Sequence, residues 1–248
     1  MCGRFAQPRS SEELARLFRA RAAVTLHGEQ FNVAPTDEVS AVVERARERT
    51  VDAFRWGLVP HWANGVRDAA RRINARAESA ERSPTYRVSF RSRRCLIPAD
   101  AFYEWRRGAA ARASPARAGR GARGPRPQPY AVERVDGEVM ALAGLWSVWR
   151  NPRTAARLYT VTILTTAPNE LVASLHDRMP VIVEADDWST WLSESTAPDE
   201  LRPLLYPLPA DLLKMRPVSP EVNDVRNEGP HLLAPFAPGD APRPAALA

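Results

Sequence analysis

Residues 130–146 read YAVERVDGEVMALAGLW, two apolar runs separated by Asp136-Gly137. The runs at 130–135 and 138–146 have the composition of strands, and an Asp-Gly pair supplies the positive φ angles of a two-residue turn, so the stretch predicts a β-hairpin. Outward from it, the β-branched segments 39–44, 51–58, 158–166 and 180–183 predict further short strands. Ser10 followed by Glu13 forms a capping-box pattern, and Leu14, Leu17 and Phe18 recur at helical spacing, which predicts a helix over 11–22. Short helices are expected at 170–175 and at 186–193, the second carrying Trp188 and Trp191. Residues 31–36 (FNVAPT) read as an extended loop, because the residue before a proline is pushed out of the helical region. Regular long crossover helices, which a parallel sheet requires, do not occur in this pattern. The fold class expected is therefore α+β: one domain with a mostly antiparallel, barrel-like sheet and short flanking helices.

The chain has 248 residues, 44% hydrophobic and 26% charged, ordinary proportions for a globular protein with a sizeable core. No apolar run approaches the roughly 18 residues of a membrane span, and MCGRFAQPRSSEE at 1–13 has neither a basic nor an apolar leader region. Two cysteines, Cys2 and Cys95, are too few for a disulfide scaffold and fit a reducing compartment, so a cytoplasmic location is expected. Cys95, in a strand-like run before Leu96-Ile97-Pro98, reads as a buried hydrophobe.

The formal net charge of +6 suggests an acidic partner, but its distribution changes the reading. Seven arginines and no acidic residue lie between 106 and 129, more than the whole surplus, so the rest of the chain is nearly neutral. Residues 107–129 are rich in Ala, Arg, Gly and Pro and lack apolar periodicity, which predicts a mobile insertion between two strands; a tail from 234 to 248 has the same character. Lys214 is the one lysine, so the positive charge is guanidinium, suited to forked phosphate contacts, although a GC-rich coding sequence gives the same bias.

Cys2 carries the most distinctive chemistry. Loss of Met1 would leave an α-amine and a thiol on adjacent carbons, able to add to an aldehyde through nitrogen and close through sulfur to a thiazolidine, or to attack an amide with the amine as base. A cysteine placed there by chance is the alternative. Glu104 stands between aromatics in ADAFYEW, where burial would raise its pKa toward general-acid work; an exposed position on a half-buried strand explains it nearly as well. His176, in LHDRMP between a short helix and a strand, could serve a cleft or be a satisfied structural histidine. The histidines at 27, 61, 176 and 231 have no metal-ligand spacing with one another or with cysteine, so neither a metal nor another cofactor is expected. The seven tryptophans could include base-stacking platforms, though most belong in a core.

Taken in order, MCGRF at 1–5, NVAPT at 32–36, WGLVPHW at 56–62, NARAES at 74–79, PADAFYEW at 98–105, TTAPN at 165–169, LHDRMPVI at 175–182 and VSPEVNDVRNEGP at 218–230 resemble the SOS-response-associated peptidase (SRAP) family of abasic-site processing proteins. The resemblance spans 2 to about 233. It departs from the family's pattern in the longer insertion after Trp105 and in the C-terminal tail.

The resemblance implies a DNA-protein crosslinking enzyme with autopeptidase and lyase-like activity, acting on single-stranded DNA that contains abasic sites and nucleoid-associated when bound. It makes Cys2, after autocatalytic loss of Met1, the residue that forms a thiazolidine with the ring-opened sugar aldehyde, shielding the strand from cleavage and allowing self-reversal. Asn74 would orient the sugar, Glu104 would act as acid and base, and His176 would assist proton transfer. Arg4 and Arg76 would contact flanking phosphates, Asn32 and Pro35 would line the strand groove, and Trp62 and Trp105 would stack or wedge against neighbouring bases. A monomer with no membrane association is implied as well.

Two rival readings fit parts of the sequence. A class II glutamine amidotransferase also uses a Met-Cys-Gly cysteine, but Arg4 follows here and no length remains for a second domain. A single-strand-binding module with a structural Cys2 would bind in a salt-sensitive way without a covalent adduct.

Overall fold

The computed structural model describes residues 2–24, 28–106 and 127–236. Met1, His27, most of the predicted insertion and the tail beyond 236 lie outside the described residues. The described residues form thirteen strands: β1 Phe5–Gln7, β2 Arg21–Ala22, β3 Gln30–Val33, β4 Glu38–Arg45, β5 Glu48–Trp56, β6 Asn74–Arg76, β7 Arg94–Ala99, β8 Ala101–Arg106, β9 Gln128–Arg134, β10 Met140–Arg150, β11 Arg157–Thr166, β12 Met179–Pro180 and β13 Leu213–Pro217. They make a five-stranded sheet in the order β13-β9-β8-β1-β3 and an eight-stranded array, β12-β11-β10-β7-β4-β5-β2, with β6 beside β11. A further β11–β5 pairing closes β11, β10, β7, β4 and β5 into a five-stranded barrel. The closing pair, together with β2–β5 and β6–β11, is parallel; the remaining ladders are antiparallel. The expected α+β class with a mostly antiparallel, barrel-like sheet is the fold found.

The Asp136-Gly137 turn forms, with Gly137 at φ +77° and its N–H donating to the Arg134 carbonyl at 3.3 Å, but the hairpin predicted around it does not. β9 pairs with β8 and β13 in the first sheet, whereas β10 pairs with β7 and β11 in the barrel. Each strand has both edges occupied, so neither can pair with the other, and the turn instead hands the chain from sheet to barrel. A two-residue hairpin lies instead between β4 and β5, where Arg45 pairs with Glu48 around Ala46 (φ +51°) and Arg47 (φ +66°). Those residues carry no glycine or asparagine signal.

The first helix, Ser11–Leu17, starts at the expected capping box but ends five residues earlier than its apolar spacing predicts. Arg19 turns left-handed at φ +50°, and Arg21 and Ala22 become β2 alongside β5. The 170–175 helix is Glu170–Ala173, and the 186–193 helix is a 3-10 turn followed by Trp188–Leu192. The 180–183 strand shortens to β12, with one further bridge between Leu142 and Ile182. The predicted insertion gives up its last two residues, since Gln128 and Pro129 belong to β9.

Alternate residues of β10 fill two cores. Met140, Leu142 and Trp146 pack with Cys2, Phe5, Cys95 and Ile97, while Ala141, Ala143 and Leu145 pack with Phe90 and Trp191. Between them, a Cβ on Gly144 would lie 2.7 Å from Cys95 Sγ and 2.9 Å from Ile97 Cδ1, so glycine is required by close approach. The buried Arg94 guanidinium donates to the carbonyls of Phe90, Arg91, Trp191 and Ser193, and desolvation lowers its pKa to about 10. Gln7 joins sheet to barrel: its Nε2 donates to Ser40 O at 3.0 Å and Pro98 O at 2.7 Å, and its Oε1 accepts from Ser40 N at 2.7 Å. Among the described residues no helix is long and apolar enough to cross a membrane.

Candidate active site around Cys2

Cys2 lies where the first sheet meets the barrel. β1 pairs antiparallel with β8, Phe5 opposite Phe102 and Ala6 opposite Ala101, and Tyr103 N donates to Arg4 O at 2.9 Å. Continuing that register toward the N-terminus carries Gly3 and Cys2 alongside Glu104 and Trp105. From the barrel side, Asn74 opens β6, which is held in parallel register on β11 with Asn74 opposite Ile163. Its Nδ2 donates to the Cys2 carbonyl at 2.8 Å, and its Oδ1 is buried with no partner among the described residues. The structure thus brings Cys2, Asn74 and Glu104 together from the segment before β1, from β6 and from β8.

Electrostatics separate the two titratable groups. Burial, reinforced by the nearby Glu104 charge, holds the fully buried Cys2 thiol far above its ordinary range. Glu104, only 3% exposed, is pushed up to about 7, chiefly by desolvation and further by the negative charge of Asp177. A carboxyl titrating near neutrality exists in both forms at working pH, which suits a group that must both give and take a proton.

His176 follows the Glu170–Ala173 helix, its N–H donating to Val172 O at 2.9 Å. Its ring is 22% exposed, and Nδ1 lies 3.0 Å from the Arg178 N–H and 2.8 Å from Asp177 Oδ1. Nδ1 can accept from Arg178 or donate to Asp177, but not both, so the segment offers the imidazole a partner in either protonation state. Asp177, not singled out by sequence, is thereby the link between His176 and the field at Glu104. Arg178 forms a forked pair with Glu78 at 2.6 and 2.8 Å and also donates to Thr165 O, tying this segment to the helix that follows β6.

The residues expected to meet a strand divide by exposure. Trp62 is 55% exposed, whereas Trp56, Trp146, Trp149 and Trp191 are buried. The Trp62 loop is braced from beneath by the Trp149 Nε1 bond to Ala63 O at 2.7 Å. Arg76 is exposed at the end of β6, next to a depression of about 350 Å³ that Ala77, Phe90, Thr166 and Tyr206 help to line. Pro35 is half-buried beside Thr36, which is held at φ +80° while its N–H donates to Trp56 O. Trp105 is half-buried, its Nε1 donating to Asn223 Oδ1 at 2.7 Å. Arg4 is half-buried, whereas Asn32 has no accessible surface, and its side chain is bonded to Arg4 and to the turn at 222–227. The turn lies within VSPEVNDVRNEGP, whose residue types carry no signal of this contact.

A larger cavity of about 470 Å³, lined by residues that include Arg49, Arg134, Glu184 and Trp188, contains none of Cys2, Asn74, Glu104 or His176. Among the described residues, no cluster of three or more His, Cys, Asp or Glu could hold a metal ion.

A closed five-stranded barrel with an attached sheet, and a buried cysteine, an amide and a neutral-range carboxyl at their junction, define a mixed α+β protein with a cysteine-centred site. Residues 1–225 match the SOS response associated peptidase (SRAP) family, and the chain belongs to it. It is 35% identical over 238 residues to the abasic site processing protein YoqW of Bacillus subtilis, covering 94% of this chain and 99% of that one. The abasic site processing protein HMCES of Xenopus tropicalis is 29% identical over 211 residues, 75% of this chain and 58% of that one. A crystal structure of a protein from Bacteroides thetaiotaomicron superposes with a TM-score of 0.80 at 22% identity, covering 95% of this chain and all of that one, and establishes the fold alone.

Proposed function

We propose that this protein processes abasic sites in single-stranded DNA by forming a covalent thiazolidine between Cys2 and the ring-opened sugar, after removing its own Met1. The observation that carries the reading is the junction itself: Asn74 fixes the Cys2 carbonyl at 2.8 Å while Glu104, held to about 7 by burial, lies close enough to bias the thiol. The α-amine of Cys2 adds to the C1′ aldehyde and loses water to give a Schiff base. The thiol then adds to the imine carbon, its proton going to nitrogen, and the ring closes.

Protonated Glu104 serves the opening of the sugar hemiacetal and the departure of water; ionised Glu104 serves deprotonation of the thiol. Asn74 Oδ1 offers an acceptor to a sugar hydroxyl. His176 provides a second proton carrier, with Asp177 and the Arg178 N–H available to either of its states. Outside this centre, Arg76 supplies a guanidinium for a flanking phosphate, Trp62 an exposed stacking face, and Pro35 and Trp105 part of the groove wall. The family's peptidase label then fits removal of Met1, which frees the amine.

The test mixes purified protein with a single-stranded oligonucleotide bearing one abasic site and takes the intact mass of any denaturation-resistant product. Wild type should give an adduct lacking Met1, and Cys2→Ala should give none while still binding the strand. An adduct retained by Cys2→Ala would remove Cys2 from the chemistry. Binding without any adduct from a wild type lacking Met1 would favour a simple strand-binding module.

A further inference from the structure

Arg4 and Asn32 belong to one set of bonds beside the chain two residues from Cys2. Arg4 Nη1 donates to Asn32 Oδ1 at 2.7 Å and to Val222 O at 2.8 Å. The Nδ2 of Asn32 donates to Asp224 O and to Asn227 O, each at 2.9 Å. Both ends of its amide are engaged inside the protein, and it has no accessible surface through which a phosphate or sugar could be met. The half-buried Arg4 guanidinium lies 5.9 Å from the centre of the Trp105 ring; its Nε is buried, while its Nη2 makes no bond to a described residue.

The turn that receives these bonds is itself fixed to the neighbouring strands. Glu228 accepts from Phe31 N of β3 at 2.8 Å, Asn223 accepts from Trp105 of β8, and Tyr103 of β8 donates to Phe31 O at 2.8 Å. β1 is thus clamped from the side opposite the Asn74 contact. A nucleophile between two fixed supports holds its geometry, and a displacement near 1 Å is enough to cost about 100-fold in rate.

We infer that Arg4 and Asn32 are positioning residues, which hold the β1 N-terminus against the turn at 222–228 and so aim Cys2, and are not ligands of the DNA strand. The inference rests on the proposed chemistry for its rate readout, and on geometry alone for the other two. Arg4→Ala, Arg4→Lys and Asn32→Ala are compared with wild type in three measurements. These are the salt dependence of binding to undamaged single-stranded DNA, the adduct rate at saturating abasic DNA, and iodoacetamide labelling of Cys2 in the native protein, read by peptide mass.

Arg4→Ala should keep the wild-type slope of log affinity against log salt, lose about 10- to 100-fold in adduct rate and label faster at Cys2. Asn32→Ala should do the same although it removes no charge. A slope reduced by about 0.7 in Arg4→Ala, the mark of one lost phosphate contact on a single strand, with Cys2 labelling unchanged, would overturn the inference. So would wild-type rate and labelling in Asn32→Ala. If the alanine variants do not fold, Arg4→Lys decides: it keeps the charge and loses the planar fork, so slowed adduct formation with an unchanged slope is expected, and a wild-type rate would count against positioning. A wild type that forms no adduct defeats the proposed function, while labelling and salt slope still decide where Arg4 and Asn32 act.

Discussion

At the scale of single residues, Glu104 shows how burial moves the titration of an ordinary side chain. Its carboxyl titrates at about 7 in the folded protein against a reference of 4.5, so between those pH values the native state holds a proton that the unfolded chain has released. Stability from this residue is full below about 4.5 and declines as pH rises through 7. The whole shift corresponds to a cost on the order of 3 kcal/mol at pH 8. Glu104→Gln should therefore be more stable than wild type at pH 8, with the advantage vanishing near pH 4.5. Denaturant unfolding of both proteins at the two pH values measures this, and an equal difference at both would show that Glu104 does not titrate between them. The same substitution removes the transferable proton and should slow adduct formation by about 10²- to 10⁴-fold. ADAFYEW announced a carboxylate among aromatics, but only the packing of β8 under the N-terminal segment makes it 3% exposed.

At the scale of elements, the two turns exchanged the roles their sequences suggest. Asp136-Gly137 has the hairpin dipeptide and joins strands of different sheets, while Ala46-Arg47 lacks it and closes the β4–β5 hairpin. Left-handed backbone at residues with a Cβ costs about 1–2 kcal/mol each, and here the eight-residue register from Glu38 to Arg45 holds it in place. Replacing Ala46-Arg47 by Asn-Gly should relieve part of that strain and raise stability by about 1 kcal/mol, read as a higher denaturant midpoint with unchanged m-value. An unchanged or lower midpoint would mean that the hairpin's φ angles carry no recoverable strain. The first helix shows the same limit: its capping box located the start, but nothing in the spacing of Leu14, Leu17 and Phe18 signalled that β5 would recruit Arg21 and Ala22 as a strand.

At the scale of the whole molecule, the site exists because a sheet and a barrel are joined, and Gln7 is a principal bolt of that joint. Its amide satisfies Ser40 N and the carbonyls of Ser40 and Pro98 while only 3% exposed. Gln7→Ala would leave those buried groups unpaired at about 1–3 kcal/mol each. A net loss of about 2–4 kcal/mol is expected, with sheet and barrel still unfolding together. Near-wild-type stability in thermal or denaturant unfolding would show that water replaces the amide at the junction.

The sequence by itself determined several of the longer strands, the start of the first helix, the α+β class and, through its ordered motifs, the family. These depend on local periodicity, on turn chemistry and on a residue's own functional groups. Tertiary structure alone decided that β9 and β10 part company, that β11 and β5 close a barrel, that Cys2 meets Asn74 and Glu104, and that Asn32 faces inward. Strand partners, burial and hydrogen-bond saturation are set by segments up to about 200 residues away in the chain, as in the Asn32 bond to Asn227. A pattern of residues states what each group could do; only the packing of distant segments fixes which groups meet and which remain open to a strand.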